Sequence, residues 1–71
     1  MKKRELLRKI GKAARAHDLE WAVVREGGNH EIWVCGKTQV SIPRHDREIG
    51  KGLADDICQD LQDELGMGWW R

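Results

Sequence analysis

A two-layer α+β fold is predicted by three features of this 71-residue chain. An amphipathic helical stripe occupies its start, three β-prone runs separated by tight turns fill its middle, and a second helical stripe lies near its end. The order is α-β-β-β-α. A three-stranded antiparallel sheet covered on one face by two helices would bury both stripes together in a two-layer sandwich. Residues 1–66 are expected to form this single domain, with 67–71 as a short C-terminal tail. A chain this short buries only about 60% of its unfolded surface, so any site must lie near the surface.

The first helix is read from Leu6, Leu7, Ile10, Ala13, Ala14 and His17, which recur at three- and four-residue steps. Lys2, Lys3, Arg4, Arg8, Lys9, Lys12 and Arg15 fill much of the remaining surface and read first as a solvated face. Asp18 and Leu19 mark the exit, and His17 suits the negative end of the helix dipole. The run Leu19 to Arg25, the turn Glu26-Gly27-Gly28-Asn29 and the run His30 to Cys35 make a β-hairpin. Gly36-Lys37 is a second tight turn. Thr38 to Ile42 alternates Val40 and Ile42 with Gln39 and Ser41, the period of a half-buried strand, and Pro43 ends it. Ile32 and Val34 are expected on the buried face of the middle strand, which would turn Trp33 to the open face. After the charged connection Arg44 to Gly50, the residues Leu53, Ala54, Ile57, Cys58, Leu61 and Leu65 trace the last helix, ending at Gly66. Trp69 and Trp70 in the tail are expected to fold back onto the core. The same order of elements belongs to the double-stranded-RNA-binding fold.

Composition narrows the function. Charged residues make up 35% of the chain and apolar ones 39%, with one proline and no low-complexity run, which is a globular profile. No apolar stretch approaches the ~20 residues of a membrane span and no secretory segment follows the basic start, so a cytoplasmic chain without membrane contact is expected. Cys35 and Cys58 are too few for a disulfide framework and read as reduced thiols in small apolar positions. The net charge of +1 conceals a polarity: twelve of the thirteen Lys/Arg residues precede Leu53, along with only seven of the twelve acids. The basic part could meet phosphates, whereas the last helix carries Asp55, Asp56, Asp60, Asp63 and Glu64.

The sequence holds no Ser-His-Asp arrangement, no glycine-rich phosphate cradle between a strand and a helix, and no His/Cys/Asp set spaced for a metal. No cofactor is expected. His30 stands out because it follows two glycines and an asparagine at the start of a strand, where a ligand can come close to the backbone. An imidazole is the side chain suited to giving or taking a proton near neutrality. Arg25 across the hairpin, Lys37 at the next turn and Arg44 or His45 after the third strand are the candidate cationic neighbours. A histidine among cations suits cleavage of RNA, where the substrate brings its own nucleophile, the 2′-hydroxyl. On the residues alone, His30 is equally a polar turn residue.

The run Arg25-Glu26-Gly27-Gly28-Asn29-His30-Glu31-Ile32-Trp33 closely resembles the central motif of the HicA toxin family: glycine, a small polar residue, histidine, then an aromatic three positions on. Ser41-Ile42-Pro43-Arg44-His45, followed by Glu48-Ile49 and Gly52-Leu53, is similar to that family's second signature. The opening Lys3-Arg4-Glu5-Leu6-Leu7 is similar to its first-helix start, so the resemblance runs from about Lys2 to Gly66. It implies the α-β-β-β-α fold and an mRNA interferase, a ribosome-independent endoribonuclease that stops translation. It implies a HicB-type antitoxin as partner, the free chain being a monomer that forms a hetero-oligomer with it. It places the active-site histidine at His30 and the flanking motif at Gly28 and Asn29, with Arg44 and His45 in the second signature.

The chain departs from the family in its lower basicity and its acidic last helix. Lys51 stands alone where a duplex-binding domain has a lysine cluster, so single-stranded mRNA along the basic first half is the expected ligand, with Trp33 or Trp21 as stacking surfaces. Two other readings stay open: a module that binds RNA without cutting it, and an interaction protein that docks a partner through Trp33 and Trp69-Trp70.

Overall fold

The computed structural model describes residues 1–71. Helix α1 (Lys3–Ala16) is followed by strands β1 (Trp21–Gly27), β2 (His30–Cys35) and β3 (Thr38–Pro43), then by α2 (Lys51–Asp60) and α3 (Gln62–Leu65). The strands form one antiparallel sheet in the order β1-β2-β3. Leu6, Ile10 and Ala14 of α1 meet Cys35, Val40 and Ile42 of the sheet in a core that also holds Ala54, Ile57, Cys58, Leu61 and Leu65. Both helical layers thus lie on one face, and the other face of the sheet is uncovered.

Several expectations need correction in detail. The last helix is not continuous: at Leu61 the backbone turns to φ −93° and ψ 2°, which separates α2 from α3 while Leu61 itself stays fully buried. Leu53 is 42% exposed and outside the core. His17 is the residue after α1, exposed rather than on the apolar stripe, and its backbone N–H caps the carbonyls of Ala13 and Ala14. Ile49, within the charged connection, is buried. It is drawn in because its N–H donates to the Met1 carbonyl at 2.7 Å while the Met1 amine donates to the Ile49 carbonyl at 3.1 Å. The tail folds back as expected: the Trp69 indole N–H donates to the Cys58 carbonyl at 2.9 Å, and the Lys9 ammonium donates to the Trp70 carbonyl.

The middle strand shows its other face. Trp33, not Ile32 or Val34, points towards the helices, because the register pairs Cys35 with Thr38, Trp33 with Val40 and Glu31 with Ile42. Residues directly opposite in an antiparallel pair share a face, so the buried Val40 and Ile42 carry Trp33 and Glu31 with them. Trp33 stacks on Trp21 with ring centroids 4.6 Å apart, and both pack against the core. A tryptophan pair removes more apolar area from water than Ile32 and Val34 would, which favours this choice.

Both hairpin turns contain two residues, Gly28-Asn29 and Gly36-Lys37. Gly28 has φ 56° and Gly36 φ 59°, a left-handed backbone that L side chains rarely adopt. Around Gly36 the turn is latched: Glu64 of α3 accepts from the Lys37 N–H at 2.9 Å and from the Thr38 hydroxyl at 3.2 Å. A methyl group on Gly36 would overlap that carboxylate, whereas one on Gly28 would meet nothing within 4 Å.

Two stability tests follow from this arrangement. Ile42→Ala should cost about 2–5 kcal/mol by denaturant unfolding, the range for truncating a buried aliphatic residue, and Ile32→Ala less than half as much. Gly28→Ala should cost about 1–2 kcal/mol for the positive φ alone. Gly36→Ala should cost more than that, because the Glu64 latch must also move.

Candidate functional site

His30 is the first residue of β2 and sits opposite Gly27 on β1 and Pro43 on β3. It is exposed, and strand alternation puts its side chain on the uncovered face with Ile32 and Val34. The turn before it is fixed from the far side: the Arg44 N–H donates to the Asn29 carbonyl at 2.7 Å. Asn29 therefore anchors the turn by its backbone, and Gly28 leaves open space above it. Gly28, Asn29, His30 and Arg44 form one end of the sheet, with His45 next in the chain.

Arg25 reaches the same face through a β-bulge. The β1–β2 register slips between Val23 and Arg25, so that Arg25 pairs with Ile32 rather than with Glu31. An unbulged strand would have turned Arg25 to the helices. The extra residue, Val24, is 54% exposed, and Arg25 becomes the diagonal neighbour of His30, roughly 7–8 Å away by sheet geometry. Lys37 is not brought to the site. It lies in the β2–β3 turn, at the far end of the six-residue strand that His30 begins, roughly 17–20 Å of extended chain away. Trp33 is likewise absent from the His30 face, since it and Trp21 stack on each other on the helix side.

A second arrangement flanks this end of the sheet on the helix side. The N-terminus of the chain runs antiparallel to the segment after β3: Lys2 bridges Glu48, and the Lys3 N–H donates to the Arg47 carbonyl at 2.8 Å. This closes a groove of about 960 Å³ between the start of α1 and the 44–48 loop, with Leu7 its only apolar wall. Lys2, Lys3, Arg4, Arg44, His45 and Arg47 line it, against two acids, Asp46 and Glu48. Lys2, Arg4 and Arg47 were not among the site residues expected from the sequence. The charge run was visible there, but its meeting with residues some 40 positions later depends on the bridge.

Glu31 organises the inner wall. Its carboxylate lies 3.0 Å from the Lys3 ammonium and accepts from the Trp33 indole N–H at 3.1 Å, while Lys3 also donates to the Arg44 carbonyl at 2.9 Å. Burial disfavours the ionised carboxyl and is the largest single influence. The Trp33 and Lys3 hydrogen bonds, with the charges of Lys3 and Arg44, together outweigh it and hold Glu31 below the usual carboxylate range. The two free cysteines are both buried, and burial pushes their thiols up, with Glu64 adding to the effect at Cys35. Neither is a thiolate nucleophile near neutrality.

No three His, Cys, Asp or Glu side chains converge where they could hold a metal ion, and no helix is long and apolar enough to cross a membrane. Compared with known proteins, the chain matches no family model, no curated protein and no solved structure.

The Glu31 cluster makes stability depend on pH. A carboxyl whose pKa is lower folded than unfolded stabilises the fold above its ordinary value of 4.5, and that contribution is lost as pH falls through the lower, folded value. Glu31→Gln should destabilise the chain by about 1–2 kcal/mol at pH 7, and the gap to wild type should shrink in acid. Thermal melts of both proteins from pH 7 down to about pH 3 check this.

Proposed function

We propose that the chain is an endoribonuclease that cuts single-stranded mRNA without a metal, with His30 as the general acid or base. The observation that carries this reading is the placement of His30: an exposed histidine on a hydrogen-bonded turn, with Arg25 re-aimed to its face and Arg44 tied to the turn. The 2′-oxygen of the substrate attacks the adjacent phosphorus and the bond from phosphorus to the 5′-oxygen breaks, leaving a 2′,3′-cyclic phosphate and a 5′-hydroxyl. His30 accepts the 2′-hydroxyl proton or supplies one to the departing 5′-oxygen. Arg25 and Arg44 stabilise the negative charge that builds on the phosphoryl oxygens.

The resemblance to HicA toxins on the His30 and Pro43-Arg44-His45 motifs supports the same chemistry. It extends the proposal to a toxin of a type II toxin–antitoxin pair, with a double-stranded-RNA-binding-domain-like form of the fold. Such a toxin acts in the cytoplasm, is neutralised by a HicB-type antitoxin and arrests growth when free.

Inducing wild type and His30→Ala side by side in a bacterial host, and following growth and transcript integrity, tests the proposal. Only wild type should arrest growth and fragment mRNA. With purified protein, His30→Ala should cut a labelled oligoribonucleotide about 10²–10⁴-fold more slowly. Products should end in cyclic or 3′-phosphates and form in the presence of EDTA. Products with 5′-phosphates formed only with a divalent metal would overturn the mechanism. Binding of RNA by both proteins without any cutting would make the chain a binding module.

A further inference from the structure

We infer that the groove between the start of α1 and the 44–48 loop is a binding track for the phosphodiester backbone of a single-stranded nucleic acid, with Lys2, Arg4, Arg44 and Arg47 as its phosphate contacts. The inference rests on the proposed action on RNA; the groove shares Arg44 with the His30 site, whereas Lys2, Arg4 and Arg47 have no part in the chemistry assigned there.

Its walls hold more positive charge than the fold neutralises. Of the five Lys and Arg side chains that line it, only Lys3 has a carboxylate within ion-pair distance, Glu31 at 3.0 Å. Of the two acids, Glu48 lies 3.6 Å from the N-terminal amine, and Asp46 pairs with none of the cations. Lys2, Arg4, Arg44 and Arg47 are therefore exposed and line one groove with no carboxylate at ion-pair distance, and only Arg44 shares its charge with a partly buried acid, Glu31. Backbone bonds hold them there: the Lys2–Glu48 bridge and the hydrogen bond from the Lys3 N–H to the Arg47 carbonyl fix the two walls whatever the side chains repel. Like charges confined in this way weaken the fold until an anion enters.

The shape selects the anion. At about 960 Å³, the groove is far larger than a single phosphate needs, and all but Leu7 of its lining residues are charged or polar, unlike the hydrophobic and aromatic walls of a small-molecule pocket. It suits a flexible chain of repeated negative charges, and three of the four free cations are guanidinium groups, whose planar forks match phosphate oxygens. Continuity favours a polynucleotide over an acidic peptide. Arg44, one wall of the groove, donates its N–H to the Asn29 carbonyl, so this end of the groove adjoins the turn that precedes His30.

The test is fluorescence-anisotropy titration of the full chain with a labelled 2′-O-methyl decanucleotide, which has the phosphates but no free 2′-hydroxyl and so reports binding without cutting. Arg4→Ala/Arg47→Ala is compared with Lys12→Ala/Arg15→Ala, which removes equal charge from the part of α1 outside the groove. The groove variant should bind on the order of tenfold more weakly at 50 mM salt, and its slope of log affinity against log salt should fall by about 1.4, two contacts at roughly 0.7 each. The control should bind like wild type. Amide NMR shifts on adding the probe should map to residues 2–4 and 44–47, a readout that needs no variant.

Equal weakening by both variants would reduce the effect to net charge and overturn the track. So would equal displacement of the probe by polyglutamate and by unlabelled oligonucleotide at matched charge, or shifts confined to the uncovered sheet face. If RNA is cut through His30 while groove variants bind and cut like wild type, the inference alone fails. If the groove binds the probe as expected and RNA is never cut, the nuclease reading fails and the track stands.

Discussion

The pairing of β2 with β3, set by the two-residue turn Gly36-Lys37, is the constraint on which the rest of this small structure depends. With only two residues in the loop, Cys35 must oppose Thr38, and every later pair follows residue by residue, with the face alternating at each step. That places Trp33 and Glu31 on the helix face with Val40 and Ile42, and leaves His30 on the uncovered one. A slip of one residue would exchange the two sets. Glu64 reaches across from α3 to accept from the Lys37 N–H and the Thr38 hydroxyl, so the last helical turn guards the register of the sheet. One carboxylate in an otherwise solvated acidic run thus carries a structural task.

The opposite end of the sheet is organised by two departures from regularity. The bulge at Val24 rotates Arg25 onto the face of His30, and the hydrogen bond from Arg44 to Asn29 fixes the turn that presents the histidine. On the helix side, the chain start pairs with residues 47–49 and brings two basic runs, far apart in sequence, into one groove. The Glu31 carboxylate stands between these regions: it neutralises Lys3, receives the Trp33 indole N–H and so connects the tryptophan stack to the basic wall. Packing and charge placement are therefore one arrangement at this end.

Charge is divided along the fold as along the chain. The exposed acids Asp56, Asp60 and Asp63 lie on α2 and α3, while uncompensated cations gather at the start of α1 and after β3. The surface potential therefore runs from negative at the last helices to positive at the chain start.

Periodicity and turn residues alone determined the order and type of the elements, though not the division of the last helix into α2 and α3. A helical stripe or an alternating strand needs only a few neighbours to declare itself, and glycine pairs mark turns by their backbone freedom. Val40 and Ile42 alternate cleanly with polar residues and were legible as core. The run Ile32-Trp33-Val34 is apolar at every position, so alternation could not choose its face. Only counting back through the Gly36-Lys37 turn from Val40 assigns Trp33 to the helix side. The break at Leu61 left no mark in the apolar spacing, because the same residue is buried in either geometry. Within the candidate site, the sequence carried His30, Gly28 and Asn29 as one local motif, since all belong to a single turn. The distance of Lys37 from His30 was already implied by the extended run between them, whereas the turning of Arg25 and the meeting of Lys2, Arg4 and Arg47 with Arg44 were decided by the tertiary structure. These rest on a bulge and on a bridge between segments some forty residues apart, and local spacing holds no trace of either.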